Sequence, residues 1–457
     1  MNKLTEHMPG HGHGHGANHG AEPVAEVIVH DPVDPRPEIQ PVIFGGDIGV
    51  YALARAFHEQ YGVNSIVISG EVPGPIANSK ILTNVRVDDS HNENQLIQAA
   101  LTVAQRVGKG KKLIILGNSD WLVRTIVRAR AHLEAAGYVV PFLSEELLDA
   151  VSDKATFAEL AQEVGMAVPE TVVVDFSNAD SPDWVAPPVP FQYPIIAKAA
   201  SSADYQEVEF PEKVKVFEIA NPEDLAALWT ALRKAGYKGR FVAQEMIPGD
   251  DTQMRSITAY VDSDGDVTLL AGAHVLVEEH TPNGLGNPAA MITGDQGEMF
   301  DQAVAFLKKN NYRGFANFDV KVDPRDGKGK FFEVNPRIGR NNYYVTAAGA
   351  NVSQFVVGDA IDHVKVPPQR VSKEVLYSVL PTGLLLHYVL DPQLRAKVTA
   401  LSKHHGEIHP LAYWSHDGGL HRREYVALAK LNERRKFHRW YPEPTSTGLN
   451  ATHVEEH

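Results

Sequence analysis

The sequence predicts an α/β protein. Three observations carry this: short apolar runs alternating with helix-period segments from residue 41 onward, glycine-rich turns directly after several of those runs, and an ordinary globular composition of 43% apolar and 22% charged residues. Strands that alternate with helices argue βαβ units and a parallel sheet, and ligands bind such sheets outside the carboxyl ends of the strands. With 457 residues the chain should hold roughly two to four domains. The formal charge of −14 repels phosphate polymers and argues against a general nucleic-acid binder, which needs clustered Lys and Arg. The chain has no cysteine, which excludes thiol nucleophiles, Cys-ligated zinc, Fe–S clusters and disulfides.

Residues 1–40 form a His- and Pro-rich leader, expected to be disordered: five of the first twenty residues are His, and Pro32, Pro35 and Pro37 follow. His11, His13 and His15 alternate with Gly and could hold nickel or zinc, but composition alone favours a leader without a defined site. It has no apolar h-region and is no secretory signal. From Pro41, PVIFGGDIG reads as strand and turn, VYALARAFHEQYG as an amphipathic helix and NSIVISG as a second strand. KKLIILGNSD is another strand and turn, WLVRTIVRARAHLEAAG a helix and YVVPFL a short strand, so 41–150 reads as one parallel-sheet unit. Gly45, Gly46, Asp47 and Asn118 fall at its strand ends. A dinucleotide fingerprint fits Gly46, Gly49 and Glu71 but meets Phe44 where its first glycine should stand.

A second region spans 151–240. SDKATFAELAQEVG is a helix with Ser152 as N-cap and Gly165 as stop; MAVPETVVV is a strand; YPIIAKAA is a buried strand ending in Lys198. Pro222 to Gly236 is a helix, and GRFVAQEMIPGDD a strand running into a turn. From 241 to 365, strands SITAYVD, VTLLAGAHVLV, FANFDVKVD and KFFEVN alternate with the helix DQAVAFLKKN, and DPRDGKGK marks a hairpin turn near Asp326 and Gly327. Residues 366–457 have no clear role. Within them Val375 to Leu390 is too short to span a membrane, which takes about 20 apolar residues, and reads as a core strand and turn. RREYVALAKLNERRKFHRW carries a local charge of +5. It reads as a solvated helix face, the alternative being contact with an anionic, diphosphate-bearing precursor near a membrane surface.

The hairpin carries the chemistry. Residues i and i+2 of a strand share a face, so Glu333 and Asn335 point together while Phe332 and Val334 point into the core. With the turn near Asp326, Asp319 falls opposite Glu333 or one residue off, and three oxygen-bearing side chains converge. Two carboxylates and an amide oxygen form a hard, incomplete ligand set that suits Mg²⁺, with Mn²⁺ as an alternative. Lys198 ends an apolar strand and Lys154 lies in the first turn of a helix; each place disfavours a cation without an anionic partner. Together they resemble a pocket for a nucleoside triphosphate.

The order DK…VP, IxAK, QEMIPGDD, NFDVKVD and FFEVNPRIGR is similar to the ATP-grasp superfamily of carboxylate–amine ligases, and most to the bacterial D-aspartate ligases, over about residues 41–365. The resemblance implies an ATP-grasp fold with an N-terminal Rossmann-like domain and ATP and Mg²⁺ as cofactors; the lack of a visible targeting segment or of a long enough apolar stretch reads as a cytoplasmic protein that is not membrane-spanning. Its partners would be an amino acid and an amine acceptor, such as a peptidoglycan precursor. Carried over, Lys154 and Lys198 contact the ATP phosphates, Gln244, Glu245 and Ile247 form the hinge at adenine, and Asp251 meets the ribose. Asp319, Glu333 and Asn335 hold the metal. Arg337 and Arg340 stabilise the transferring phosphoryl group or the substrate carboxylates, and Arg255, just beyond the hinge, is a third candidate to grip a carboxylate. Asn317 stands where D-alanine ligases are expected to have a basic residue. A protein nucleophile is not needed, in keeping with the absent cysteine, and TPNGLGNP (Thr281 to Pro288) is either a lid or a plain hairpin loop. Rival readings are another amino-acid or peptide ligase of the superfamily, a nicotinamide oxidoreductase, and a nucleotide-sensing protein without turnover. The residues leave the oligomeric state open.

Overall fold

The computed structural model describes residues 32–449 apart from residue 283; His11, His13 and His15 lie outside them. Strands β1 (Ile39–Phe44), β2 (Ser65–Ser69), β3 (Leu82–Arg86), β4 (Lys112–Gly117) and β5 (Tyr138–Val139) form a parallel sheet in the order β3-β2-β1-β4-β5. The order reverses between β1 and β4, which opens a crevice beyond their carboxyl ends. The loops 45–47 and 118–119 follow those two strands. Asp47 caps the helix Ile48–Tyr61 by accepting the amides of Gly49 and Val50. A Cβ at Gly49 would stand 2.6 Å from the carbonyl oxygen of Arg340, so only glycine lets the loop that carries Arg340 close on this helix start. The expected long helix breaks at Ala129 into Asp120–Arg128 and Arg130–Ala135. The strand expected in YVVPFL is only two residues long, Tyr138–Val139; Pro141, two residues on, has no amide to extend the ladder.

A second, antiparallel sheet orders β6 (Thr171–Asp175), β7 (Ile195–Ala199), β8 (Phe217–Ile219) and β9 (Arg240–Glu245) as β6-β9-β7-β8. Its own core is aromatic, with Phe176, Tyr205, Trp229, Tyr237 and Phe241 in edge contact. The helix before it starts differently from expectation. Ser152 ends the helix Glu145–Ser152, and Asp153 caps Lys154–Glu163 by accepting the Thr156 amide at 2.8 Å. Asp is the stronger acceptor, and the chain turns there.

The third sheet holds β10 (Met254–Val261), β11 (Val267–Glu278), β12 (Pro288–Thr293), β13 (Gly314–Val322), β14 (Gly329–Asn335), β15 (Gln369–Arg370) and β16 (Leu376–Ser378). Its order is β14-β13-β10-β11-β12-β16, with β15 on β11. Helix Glu298–Lys309 buries Phe300, Ala303, Phe306 and Leu307, Phe306 meeting Phe318 edge-on at 5.8 Å. The apolar stretch from Val375 continues β16 into the helix Thr382–Tyr388, where a strand and turn were expected. The basic segment near the C-terminus is the helix Leu420–Trp440, and one side of it is docked. Arg422 is buried against Asp417 and donates to the carbonyls of Pro75 and Ala77, while Asp417 accepts the Tyr51 and Ser79 hydroxyls. The rest of that helix exposes its basic residues, including Arg423, Arg434, Arg435 and Arg439. Among the described residues no helix is long and apolar enough to cross a membrane.

Candidate active site

The antiparallel pairing of β13 with β14 sets Asp319 directly opposite Glu333 and Asn317 opposite Asn335. A bulge between Asp319 and Val320 makes Phe332 the extra residue. Phe331, rather than Phe332, is therefore buried beside Val334, and Phe332 instead offers its ring to the Lys198 ammonium, 5.4 Å from its centroid. On the same face, Asn335 donates to Asp319 at 3.1 Å, and Ser256 and Thr258 donate to Asn317 at 3.4 and 3.3 Å.

The small sheet brings its lysines to this face. The amide of Lys154 donates to the carbonyl of Ala200, just past β7, at 3.1 Å, so the helix start and the strand end are tied together. Lys154 Nζ then pairs with Glu333 at 3.3 Å. The Glu333 carboxylate holds Lys154 above the usual lysine range against the effect of burial. Burial and the neighbouring Lys154 charge push Lys198 down to about 8. Burial would raise Glu333, but Lys154, Lys198 and Lys215 together hold it below the ordinary carboxylate range; burial and the Glu333 charge push Asp319 up. Lys215 is a cation that the sequence reading missed: it lies on an exposed loop of the small sheet, in a run with no strong periodicity.

The donor chemistry fits a hard divalent cation. The Asp319 and Glu333 carboxylates face one patch, where a cation would relieve their repulsion, while Asn335 beside them turns its amide nitrogen to Asp319 and its oxygen to Arg337. Among the described residues no three His, Cys, Asp or Glu side chains gather as a metal site, so the set rests on two acids and Asn335.

Arg337 and Arg340 lie between the large sheet and the first sheet. Arg337 donates to Asn335 Oδ1 at 3.2 Å and to Asp120 at 2.8 Å. Arg340 donates to Glu279 at 2.7 Å and stands 3.4 Å from Asp47. The crevice at the β1/β4 reversal is thus roofed by two guanidinium groups. Glu279 and Asp120 were not singled out beforehand; the signals available were an acid pair closing β11 and an acid directly after a strand-end Gly-Asn-Ser turn.

The structure does not bring Arg255 to the cluster. Ser256 pairs with Asp319, so the neighbouring Arg255 points to the other face. There it donates to the carbonyls of Thr252 and Met254, and burial pushes it down to about 10. In the segment expected to form the hinge, Gln244 donates to Thr171 at 2.8 Å, Glu245 accepts from Glu170 and Arg325, and Ile247 is buried. Asp251 is 6% exposed. Its carboxylate accepts the Glu278 amide at 2.9 Å and bonds His280 Nε2 at 2.8 Å, while Gly448 packs against its other oxygen. The His280 ring stacks on Tyr441 at 3.6 Å. Thr281 to Pro288 joins β11 to β12 as a hairpin loop, closed by the amide of Glu279 donating to Asn287 O at 2.7 Å.

No family model matches the chain. A D-aspartate ligase of Enterococcus faecium (strain Aus0004) is 32% identical over 327 residues, covering 71% of this chain and 77% of that protein. The chain belongs to the D-aspartate ligase family. It is an ATP-dependent carboxylate–amine ligase with the ATP-grasp fold. Among solved structures, the biotin carboxylase domain of Hydrogenobacter thermophilus 2-oxoglutarate carboxylase, in complex with MgADP, ADP and bicarbonate, superposes with a TM-score of 0.53. The identity is 14%, over 74% of this chain and 72% of that one. The L-amino acid ligase of Bacillus licheniformis gives 0.51 at 14% identity, over 71% and 74%. At that identity the two structures support the fold.

Proposed function

We propose that this ligase uses Mg-ATP to activate a carboxylate of D-aspartate as an acyl phosphate and joins it to an amine of a peptidoglycan precursor in the cytoplasm. The reading divides the chain into an N-terminal domain (41–150), a small lobe (151–240), a large lobe (241–365) and a C-terminal segment (366–457). The observation that carries it is the meeting of three parts at one patch: the small-lobe lysines, the Asp319–Glu333–Asn335 face, and the arginines over the crevice.

Lys154 and Lys198 neutralise the ATP phosphates from the small lobe, and the hinge from Gln244 to Ile247 offers backbone groups to adenine. Asp319, Glu333 and Asn335 would hold Mg²⁺, which supplies charge neutralisation at the transferring phosphoryl group. A carboxylate is a poor acyl donor; once phosphorylated it is attacked by the amine, and phosphate leaves. Nothing here needs a protein nucleophile. The residues contribute position and charge. D-aspartate has two carboxylates and one ammonium, so its site needs fixed positive charge, and a guanidinium fork grips a carboxylate in two places. Arg337 and Arg340 are placed for that, and Arg255 is not.

The test is release of ADP and phosphate measured across D- and L-amino acids, with and without a muropeptide amine. D-aspartate should give the highest amine-dependent rate. A stronger response to another amino acid would overturn the substrate assignment.

A further inference from the structure

We propose that Asp120 receives the acceptor amine, binding it as an ammonium ion beside the acyl phosphate. The proposal rests on the ligase reading above and adds the group that holds the second substrate.

Asp120 is the first residue of the helix after β4, at the mouth of the β1/β4 crevice. Its Oδ1 accepts Arg337 Nε at 2.8 Å, and the same guanidinium donates to Asn335 Oδ1 at 3.2 Å. The carboxylate therefore sits one guanidinium away from the strand that carries Glu333 and Asn335.

The other acids around the crevice are engaged. Asp47 Oδ1 accepts the amides of Gly49 and Val50 and the side chain of Asn118, and its Oδ2 faces Arg340. Glu279 is buried and pairs with Arg340; Asp153 holds Thr156 and Arg240. Asp120 is the exception. Its side chain is 54% exposed, and Arg337 is the one partner it bonds among the described residues.

The reaction needs such a group. An alkylamine is a cation at neutral pH, and around the candidate site stand Lys154, Lys198, Arg337 and Arg340. Those charges attract ATP and a dicarboxylate and repel an ammonium ion. An exposed carboxylate at the rim offsets that repulsion where the amine must arrive. The ammonium ion gives one proton to water and its nitrogen attacks the acyl carbon. The carbon–oxygen bond to the phosphoryl group then breaks, inorganic phosphate leaves with the electron pair, and the second proton leaves the new amide nitrogen to solvent.

The experiment compares two acceptors on the full chain, wild type beside Asp120→Asn and Asp120→Glu. One acceptor is a lysine side chain in a muropeptide, which is cationic. The other is hydroxylamine, uncharged at neutral pH, which traps an acyl phosphate as a hydroxamate. Asp120→Asn should raise KM for the lysine amine and lower that ligation about tenfold or more beyond any effect on hydroxamate formation. Asp120→Glu should restore most of the loss. If both reactions fall together in Asp120→Asn, the residue only positions Arg337 and the proposal is overturned; if neither changes, it is overturned as well. A wild-type enzyme that forms no hydroxamate with any amino acid and ATP would overturn the ligase reading itself, and the proposal with it.

Discussion

Replacing Glu333 with Gln keeps the side chain's shape and removes one negative charge where the large sheet meets the Lys154 helix. The fold should survive. Glu333 pairs with Lys154 at 3.3 Å, the two side chains being 32% and 14% exposed, so the loss of this partly buried pair costs about 1–3 kcal/mol. That is small beside a total stability of about 5–15 kcal/mol. The catalytic cost should be larger. Two carboxylates would hold the metal that neutralises the phosphoryl charge, and the variant retains one. A fall in kcat of about a hundredfold, or roughly 2.7 kcal/mol of barrier, is expected, together with a higher Mg²⁺ requirement. The assay is the initial rate of ADP release over a Mg²⁺ titration, beside a thermal melt to confirm folding. A rate within about threefold of wild type at saturating Mg²⁺, with an unchanged half-saturation, would remove Glu333 from the mechanism.

Lys198, held near 8 by burial and Lys154, loses its charge as pH rises through that value. The kcat/KM for ATP should therefore fall on the alkaline side, and Lys198→Arg, whose guanidinium stays charged, should lose that limb; a limb that persists in the variant belongs to another group. Asp251→Ala should loosen the segment after Ile247 that we propose meets the nucleotide, raising KM for ATP with kcat nearly unchanged. It should also lower the melting temperature, since His280 and the Glu278 amide lose their acceptor; a large fall in kcat at constant KM would move the hinge elsewhere. Arg340→Lys should narrow the preference for aspartate over asparagine in amino-acid-dependent ADP release, and an undiminished preference would take Arg340 out of substrate choice.

The parallel sheet was legible because β1, β2 and β4 are continuous apolar runs closed by glycine or polar turns. β3 was missed. Its residues, Leu82–Arg86, are mostly polar and half-exposed on the sheet edge, so no apolar pattern marks them. Asp153 was overlooked as a cap because a serine stands next to it and both are good caps; the choice depends on where the preceding helix ends. The helix Thr382–Tyr388 hid in a run too short and too apolar for period to separate strand from helix.

The site was legible where it depends on a single hairpin. Asp319, Glu333 and Asn335 follow from strand parity and a turn at Asp326 to Gly327, where the backbone of Gly327 turns at φ +73°. A single bulge then exchanged Phe331 with Phe332, which parity alone cannot foresee, because the extra residue is set by packing on both sides of the sheet. Arg255 failed for the converse reason. It lies close to the hinge in the chain, but it alternates with Ser256, and Ser256 shares the Asp319 face, so nearness in sequence placed it on the wrong side. Asp251 shows a third limit. Its partners are the Glu278 amide and His280, 27 and 29 residues on, and Gly448 from nearly two hundred residues away, with Tyr441 stacked on His280; the C-terminal groups lie beyond the stretch that resembles the family. Local pattern could mark Asp251 as an acid after a hinge, but which groups its carboxylate meets is decided by where the C-terminal segment docks. That docking is secured by Arg422, a residue counted in the sequence as part of a solvated basic face and found in the structure buried against Asp417.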